Sequence, residues 1–243
     1  DERRSKVPST EVRGPVGPSG VVTRGRVSSG TVLGVASFGA FLAFLDATIV
    51  NVAFPSIRES FPDSTISNLS WVLNAYNIVF AAFLVPFGRL TDLIGRRRAF
   101  VWGVLVFTVA SVICALSPCV GFLIGARVVQ ALGAALLVPA SLALVVAAFP
   151  SERRTHAVGL WGASAALASG LGPPIGGLLV QVGDWRWAFL VNLPFGIAAW
   201  VIARRALVES RAPGRRTLPD LGGAALFALA LGLLTLGIVQ GGD

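Results

Sequence analysis

Long uncharged runs alternate along this chain with short basic segments. Residues 27–45 carry no charge, and past the single Asp46 the apolar run continues to Ile57. Residues 64–88, 99–126, 128–151, 155–183, 187–203 and 221–242 repeat the pattern. A helix needs about 20 apolar residues to cross the hydrocarbon core of a bilayer. With breaks set at Gly, Pro and charge clusters, among them Ser117-Pro118, the runs predict seven membrane-spanning helices. Their ranges are about 31–55, 68–88, 99–117, 120–149, 156–181, 187–203 and 221–240. Soluble core helices do not repeat at this length without charge, so the fold class is an all-α polytopic membrane protein.

Composition agrees. Of 243 residues, 54% are hydrophobic and 13% charged, and the mean hydropathy is +0.76. Soluble domains carry about 25% charge. The net charge of +8 would suggest nucleic acid in a soluble protein, but here placement decides. With the N-terminus inside, the inner segments hold Arg3, Arg4, Lys6, Arg13, Arg24 and Arg26, then Arg89 and Arg96 to Arg98, then Arg153 and Arg154. The last inner segment adds Arg204, Arg205, Arg211, Arg215 and Arg216, making 17 of the 20 basic residues. Only Arg58 and Arg186 fall outside, and Arg127 lies within a span. That bias predicts a cytoplasmic N-terminus in a plasma (inner) membrane and no nucleic-acid partner. Residues 1–30, rich in Arg, Gly, Ser and Pro, read as a disordered basic arm. Trp71, Trp185 and Trp187 fall at outer ends, where an aromatic belt anchors helices; Trp161, near an inner end, fits an anchor or a cavity wall. Cys114 and Cys119 are too few for a metal cage and predict no disulfide scaffold, and His156 has no ligand companion. No phosphate loop, nucleophile elbow or paired-carboxylate site is present, so neither an enzyme nor a cofactor is expected. The absence of methionine and the opening at Asp1 suggest a fragment.

Charge at bilayer depth is costly, about 2.5–3.5 kcal/mol or more for Asp or Arg at a helix centre. Asp46 lies nine residues below Pro55, about 13 Å, and Arg127 seven residues below Val120, about 10 Å. Similar depth lets them face each other across a bundle interior. Two readings stand: a static ion pair that fixes helix packing, or a site on a transport path, with Asp46 a reversible proton carrier. Asn51, Asn74, Asn77, Gln130 and Asn192 accompany the pair. Each alone suits an interhelical hydrogen bond; together they suggest a sparsely polar cavity for lipophilic substrates.

The segment after the second span reads Gly88-Arg-Leu-Thr-Asp92-Leu-Ile-Gly95-Arg96-Arg97-Arg98. Gly88 and Gly95 permit a tight turn, and Asp92 is placed to cap the third helix or to pair with arginines. This stretch resembles the signature loop of the major facilitator superfamily, departing from its commonest pattern at Thr91, Leu93 and Phe100. Leu45-Asp46-Ala-Thr-Ile-Val-Asn51-Val-Ala-Phe-Pro55 resembles the first-helix motif of that superfamily's drug:proton antiporters, and Arg127-Val-Val-Gln130-Ala-Leu-Gly133 their fourth-helix motif, with Ala131 where Gly is usual. Gly172-Pro173-Pro174-Ile-Gly176-Gly177 resembles their fifth-helix antiporter motif. Trp185 to Gly196 is similar to the sixth-helix entry of the fourteen-helix branch, the QacA/EmrB-type exporters. Physically, Gly172-x3-Gly176 and Gly162-x3-Ala166-x3-Gly170 form flat strips for close helix contact, and Pro173 and Pro174 free backbone carbonyls and bend the helix. Such a helix suits a gate at the interface of two lobes.

The resemblance implies an N-terminal six-helix lobe over residues 31–205, built as two inverted three-helix repeats with Asp46 and Arg127 on corresponding helices. A cytoplasmic linker at 206–220 and a seventh helix at 221–243 follow, and the other lobe is missing. It implies a proton-driven exporter of small hydrophobic or cationic compounds such as antibiotics, with Asp46 and Arg127 in proton coupling. Its partners would be the substrate, protons, the lipid bilayer and the C-terminal lobe. The alternatives are a non-transporting membrane module, as receptor or assembly partner, and a nutrient importer of the same superfamily.

Overall fold

A computed structural model of the chain describes residues 28–210 and 220–240. Most of the expected arm at 1–30, and most of the expected linker, lie outside those residues. The elements are α1 (Ser29–Ser60), α2 (Ile66–Ile94), α3 (Arg96–Ala115), α4 (Val120–Ala148), α5 (Ser151–Val182), α6 (Trp187–Leu190), α7 (Asn192–Ala206) and α8 (Leu221–Gln240). Among the described residues, six helical segments are long and apolar enough to cross a membrane, the sixth being Trp187–Ala206. The protein is therefore a multi-pass membrane protein.

Boundaries follow local chemistry. The Ser28 hydroxyl accepts from the Gly30 N–H at 3.2 Å to start α1, and the Thr65 hydroxyl accepts from the Asn68 N–H at 3.2 Å to start α2. Pro55 does not end α1 as expected but sits inside it. A proline removes one N–H from the ladder without forcing a stop where neighbouring helices support the backbone. The second span likewise runs past Gly88 to Ile94, so the expected loop shrinks to a turn at Gly95. The sixth span is broken at Val191 into α6 and α7.

Packing is symmetric between halves of the lobe. α1 lies along α5 and α4 along α2, while α3 packs on α4 and α7 on α3 and α1. The first helix of each three-helix half thus pairs with the second helix of the other, as inverted repeats require. Glycines set the closest approaches. A side-chain carbon at Gly133 would fall 2.6 Å from the Phe107 nitrogen, and one at Gly103 would fall 2.8 Å from the Leu137 nitrogen, so α3 and α4 touch nearly backbone to backbone. Gly196 of α7 meets the Thr108 hydroxyl in the same way. Without a hydrophobic drive between helices in lipid, such close packing supplies much of the association.

Two apolar clusters fill the lobe. One holds Phe100, Phe107, Leu137 and Leu144; the other holds Ile49, Leu69, Leu123, Trp185 and Phe189. Trp185 corrects a sequence expectation. It is no interfacial anchor but fully buried, with its indole N–H donating to the Ser60 hydroxyl at 3.0 Å and its ring against Phe61 and Phe189. Trp187, half exposed, keeps the anchor role open to it. α8 rests on α2.

Candidate functional site

At the seam between the two apolar clusters, five spans converge on one carboxylate. Asp46 comes from α1, Arg127 and Gln130 from α4, Ser111 from α3, Asn192 from α7, and the Val72 carbonyl from α2. Arg127 Nη1 lies 2.6 Å from Asp46 Oδ2 and donates also to Gln130 Oε1 at 2.6 Å. Asp46 Oδ1 accepts from Gln130 Nε2 at 2.9 Å and from Asn192 Nδ2 at 2.7 Å. The Ser111 hydroxyl accepts from Gln130 at 2.7 Å and donates to the Phe107 carbonyl at 2.8 Å. Arg127 Nε donates to the Val72 carbonyl at 3.2 Å, and its guanidinium lies 3.9 Å from the ring centre of Tyr76. Asp46, Ser111, Gln130 and Asn192 have no exposed surface, and Arg127 is 1% exposed.

This geometry explains how two charges survive at such depth. Desolvating an ion pair costs more than it returns unless the remaining lone pairs and protons are also satisfied. Here the carboxylate accepts three hydrogen bonds, and a tyrosine face with its quadrupole backs the guanidinium. The Asn192 side-chain oxygen alone in this cluster has no partner. It is an acceptor beside the Asp46 carboxyl, available if that group carries a proton.

The sequence-predicted polar residues separate into two groups. Gln130 and Asn192 are fully buried and donate to the Asp46 carboxylate. Asn51, Asn74 and Asn77 remain at or near the surface of the lobe, Asn51 bonding only back to the Ala47 carbonyl at 3.1 Å. Ser111 and Tyr76 escaped notice in the sequence, since a serine or tyrosine within an apolar span costs little and so stands out little. Tyr76 is the chain's sole tyrosine, the one signal available.

The signature segment meets expectation in part. Gly88 is no turn residue but lies within α2, where a side-chain carbon would fall 3.6 Å from Pro139 of α4. Gly95 does turn the chain, at φ 108°, a conformation that glycine adopts without strain. Of its two expected roles Asp92 takes the second, pairing with Arg96 at 3.4 Å on the exposed surface rather than capping α3. The cap comes from Glu209, beyond α7, whose carboxylate accepts from the Arg97 and Arg98 N–H groups at 3.1 and 3.2 Å. An anion there satisfies orphan donors and complements the helix dipole. A side-chain carbon on Gly95 would collide with that carboxylate. The Ser210 carbonyl accepts from the Arg96 N–H at 3.0 Å, and the Arg204 carbonyl from the Arg97 guanidinium at 2.7 Å. The stretch 207–210, expected as free linker, is docked on the turn.

The fifth-helix motif is also redistributed. Ala168, Gly172 and Gly176 are buried; a side-chain carbon on Gly176 would fall 3.2 Å from the Ile49 carbonyl of α1, and one on Gly172 would collide with Thr48. That strip packs α5 on α1. Ala166, Gly170, Pro173 and Pro174 are exposed, and Gly177 has open space beside it. Two small-residue strips therefore run along α5, one used and one free. Among the described residues, no cluster of three or more His, Cys, Asp or Glu residues is placed to hold a metal.

Comparison with known proteins places this arrangement in context. Residues 36–240 match the model of the Major Facilitator Superfamily. The chain is 42% identical over 218 residues to the methylenomycin A resistance protein of Streptomyces coelicolor, covering 88% of this chain and 45% of that protein. It is 42% identical over 204 residues to the multidrug resistance protein Stp of Mycobacterium tuberculosis, covering 84% of this chain and 38% of that protein. The chain thus spans a little under half the length of these relatives. A bacterial homologue of the human lysosomal transporter Spinster, crystallised inward-facing and unoccupied, shares the fold with a TM-score of 0.63 at 19% identity, over 79% of this chain and 47% of that one.

The buried pair makes a thermodynamic prediction. Arg127→Met leaves a carboxylate without its cation and is expected to cost about 3–5 kcal/mol. Asp46→Leu combined with Arg127→Met removes both charges and should regain most of that loss. Thermal unfolding in detergent of the two variants checks this; a double variant as unstable as the single would show that the network, not the charge, sets the cost.

Proposed function

The chain belongs to the major facilitator superfamily, and from that premise we propose that it supplies the N-terminal lobe of a proton-driven exporter of small hydrophobic or cationic compounds, antibiotics among them. The observation that carries this reading is the fully enclosed Asp46–Arg127 pair in an otherwise apolar lobe. Static packing does not need an ionisable group at this depth; hydrophobic side chains of similar volume serve as well or better. An acid that must take up and release a proton does need one. The names of the two relatives, methylenomycin A resistance and multidrug resistance, favour export as the direction.

In this reading Asp46 is the coupling acid. Its ionised form is held by Arg127, Gln130 and Asn192. On protonation the bond to Arg127 Nη1 weakens, and the freed guanidinium keeps its contacts to Gln130 and the Val72 carbonyl. That loosens α1 from α4, the two helices that correspond in the inverted repeats, and couples proton binding to lobe geometry. Substrate would be met by the faces the lobe leaves uncovered, where Asn51, Asn74 and Asn77 sit, and by a second lobe that packs against the free strip of α5. The Gly88–Arg98 segment and its docked Glu209 would form the cytoplasmic end in a plasma membrane, with the N-terminus inside.

Two measurements test this reading in the full-length protein. Efflux from proteoliposomes under an imposed pH gradient should vanish in Asp46→Asn, which keeps size but cannot ionise, and survive in part in Asp46→Glu; undiminished efflux by Asp46→Asn would remove Asp46 from coupling. For orientation, Cys119 is exposed between α3 and α4, and Val208 is 67% exposed at the opposite end. An impermeant maleimide should label Cys119 in intact cells and should not label Val208→Cys in a Cys119→Ser background. Labelling with the reverse preference would invert the topology.

A further inference from the structure

On the outer wall of the lobe, α3 and α7 enclose a groove of about 390 Å³ whose walls include Thr108, Val109, Val112, Leu193, Ile197 and Trp200. Val109 and Ile197 are about half exposed, so it opens sideways, toward hydrocarbon. Its apolar part calls for an apolar occupant, and its size falls in the range of small-ligand sites.

One end of the groove is chemically different. The Arg204 guanidinium lies 4.6 Å from the centre of the Trp200 indole. Arg97, at the start of α3, donates to the Arg204 carbonyl at 2.7 Å, which brings a second guanidinium to the same corner. Among the described residues Arg204 is exposed and has no ion pair, and Arg97 Nε is buried without a partner. Glu209 is near, but its oxygens are occupied by the Arg97 and Arg98 N–H groups and the Arg98 guanidinium. The Trp200 indole N–H is also buried without an acceptor. An unanswered donor in a membrane is costly, so this corner is short of anionic and acceptor oxygens.

Length gives the third constraint. Leu193 and Arg204 are eleven residues apart on one helix, about 16 Å. Half of a typical 30 Å hydrocarbon core is about 15 Å. The groove therefore matches one acyl chain of one leaflet, with the two arginines at headgroup level.

We propose that this groove binds an anionic phospholipid from the leaflet on the Arg97–Arg204 side. One acyl chain lies between α3 and α7, the phosphate meets Arg204 and Arg97, and an ester carbonyl accepts from the Trp200 indole. A zwitterionic lipid fits the groove equally but adds a cation to a corner that already holds two. The site is on the face away from Asp46 and is independent of the proposed transport chemistry.

The test uses the full-length protein in phosphatidylcholine vesicles doped with a small fraction of chain-brominated lipid, with the Trp200 signal taken as the difference between wild type and Trp200→Phe. Brominated phosphatidylglycerol should quench Trp200 about fivefold more effectively than brominated phosphatidylcholine at the same fraction, the preference expected of one basic side chain at an anionic surface. Arg204→Gln should erase the preference, and Val109→Phe, which fills the groove, should reduce quenching by either lipid. Equal quenching by the two lipids in the wild type overturns the proposal. So does absence of quenching by both, which would mean that protein covers the groove, and so does a preference that survives Arg204→Gln.

Discussion

An ion pair of 2.6 Å with no access to water is the constraint around which this lobe is organised. Charges in hydrocarbon are tolerated only when their bonding capacity is met by protein, and no single helix can meet it. Asp46 needs α4 and α7, Arg127 needs α1 and α2, and Gln130, which bonds both, is steadied by Ser111 of α3. Those helices must come close, and Gly103, Gly133, Gly172, Gly176 and Gly196 sit where they touch. The glycine pattern and the charge pair are thus two sides of one requirement.

The same requirement gives the lobe two unlike ends. Toward the charge-rich side, Gly95 and the Glu209 carboxylate clamp the turn between α2 and α3 to the segment after α7. That clamp ties the two three-helix halves at one end, while the Asp46 network ties them in the middle. In the proposed mechanism, a change in the network's protonation would act on halves that the clamp keeps joined at one end.

Much of this was legible in the sequence, for definable reasons. The fold class follows from uncharged runs that only a bilayer explains, and the meeting of Asp46 with Arg127 follows from similar depths given by the helical rise; of the seven spans expected, six are long and apolar enough among the described residues. What misled was chemistry with two uses. Glycine serves both turns and close helix contact, so Gly88 read as a turn and proved to be part of α2. Tryptophan suits both belt and core, and Trp185 chose the core because the Ser60 hydroxyl answers its N–H. Polar residues in a span do not declare their partners, so the bonds of Gln130 and Asn192 to Asp46 emerge only with the fold. Glu209 stood unremarked in a segment full of charges, where one acid carries no signal until the fold brings it to a helix terminus.

The central claim is that Asp46 changes protonation inside a closed network. Infrared difference spectra of the reconstituted full-length protein, recorded between the pH at which transport runs and a more acidic one, read that change directly through the carbonyl stretch of a protonated carboxyl group. The account predicts a band typical of a buried acid, present in wild type and missing in Asp46→Asn, with amide changes from Gln130 and Asn192 accompanying it. A spectrum in which Asp46→Asn and wild type are identical would contradict the account and leave the pair a fixed element of packing.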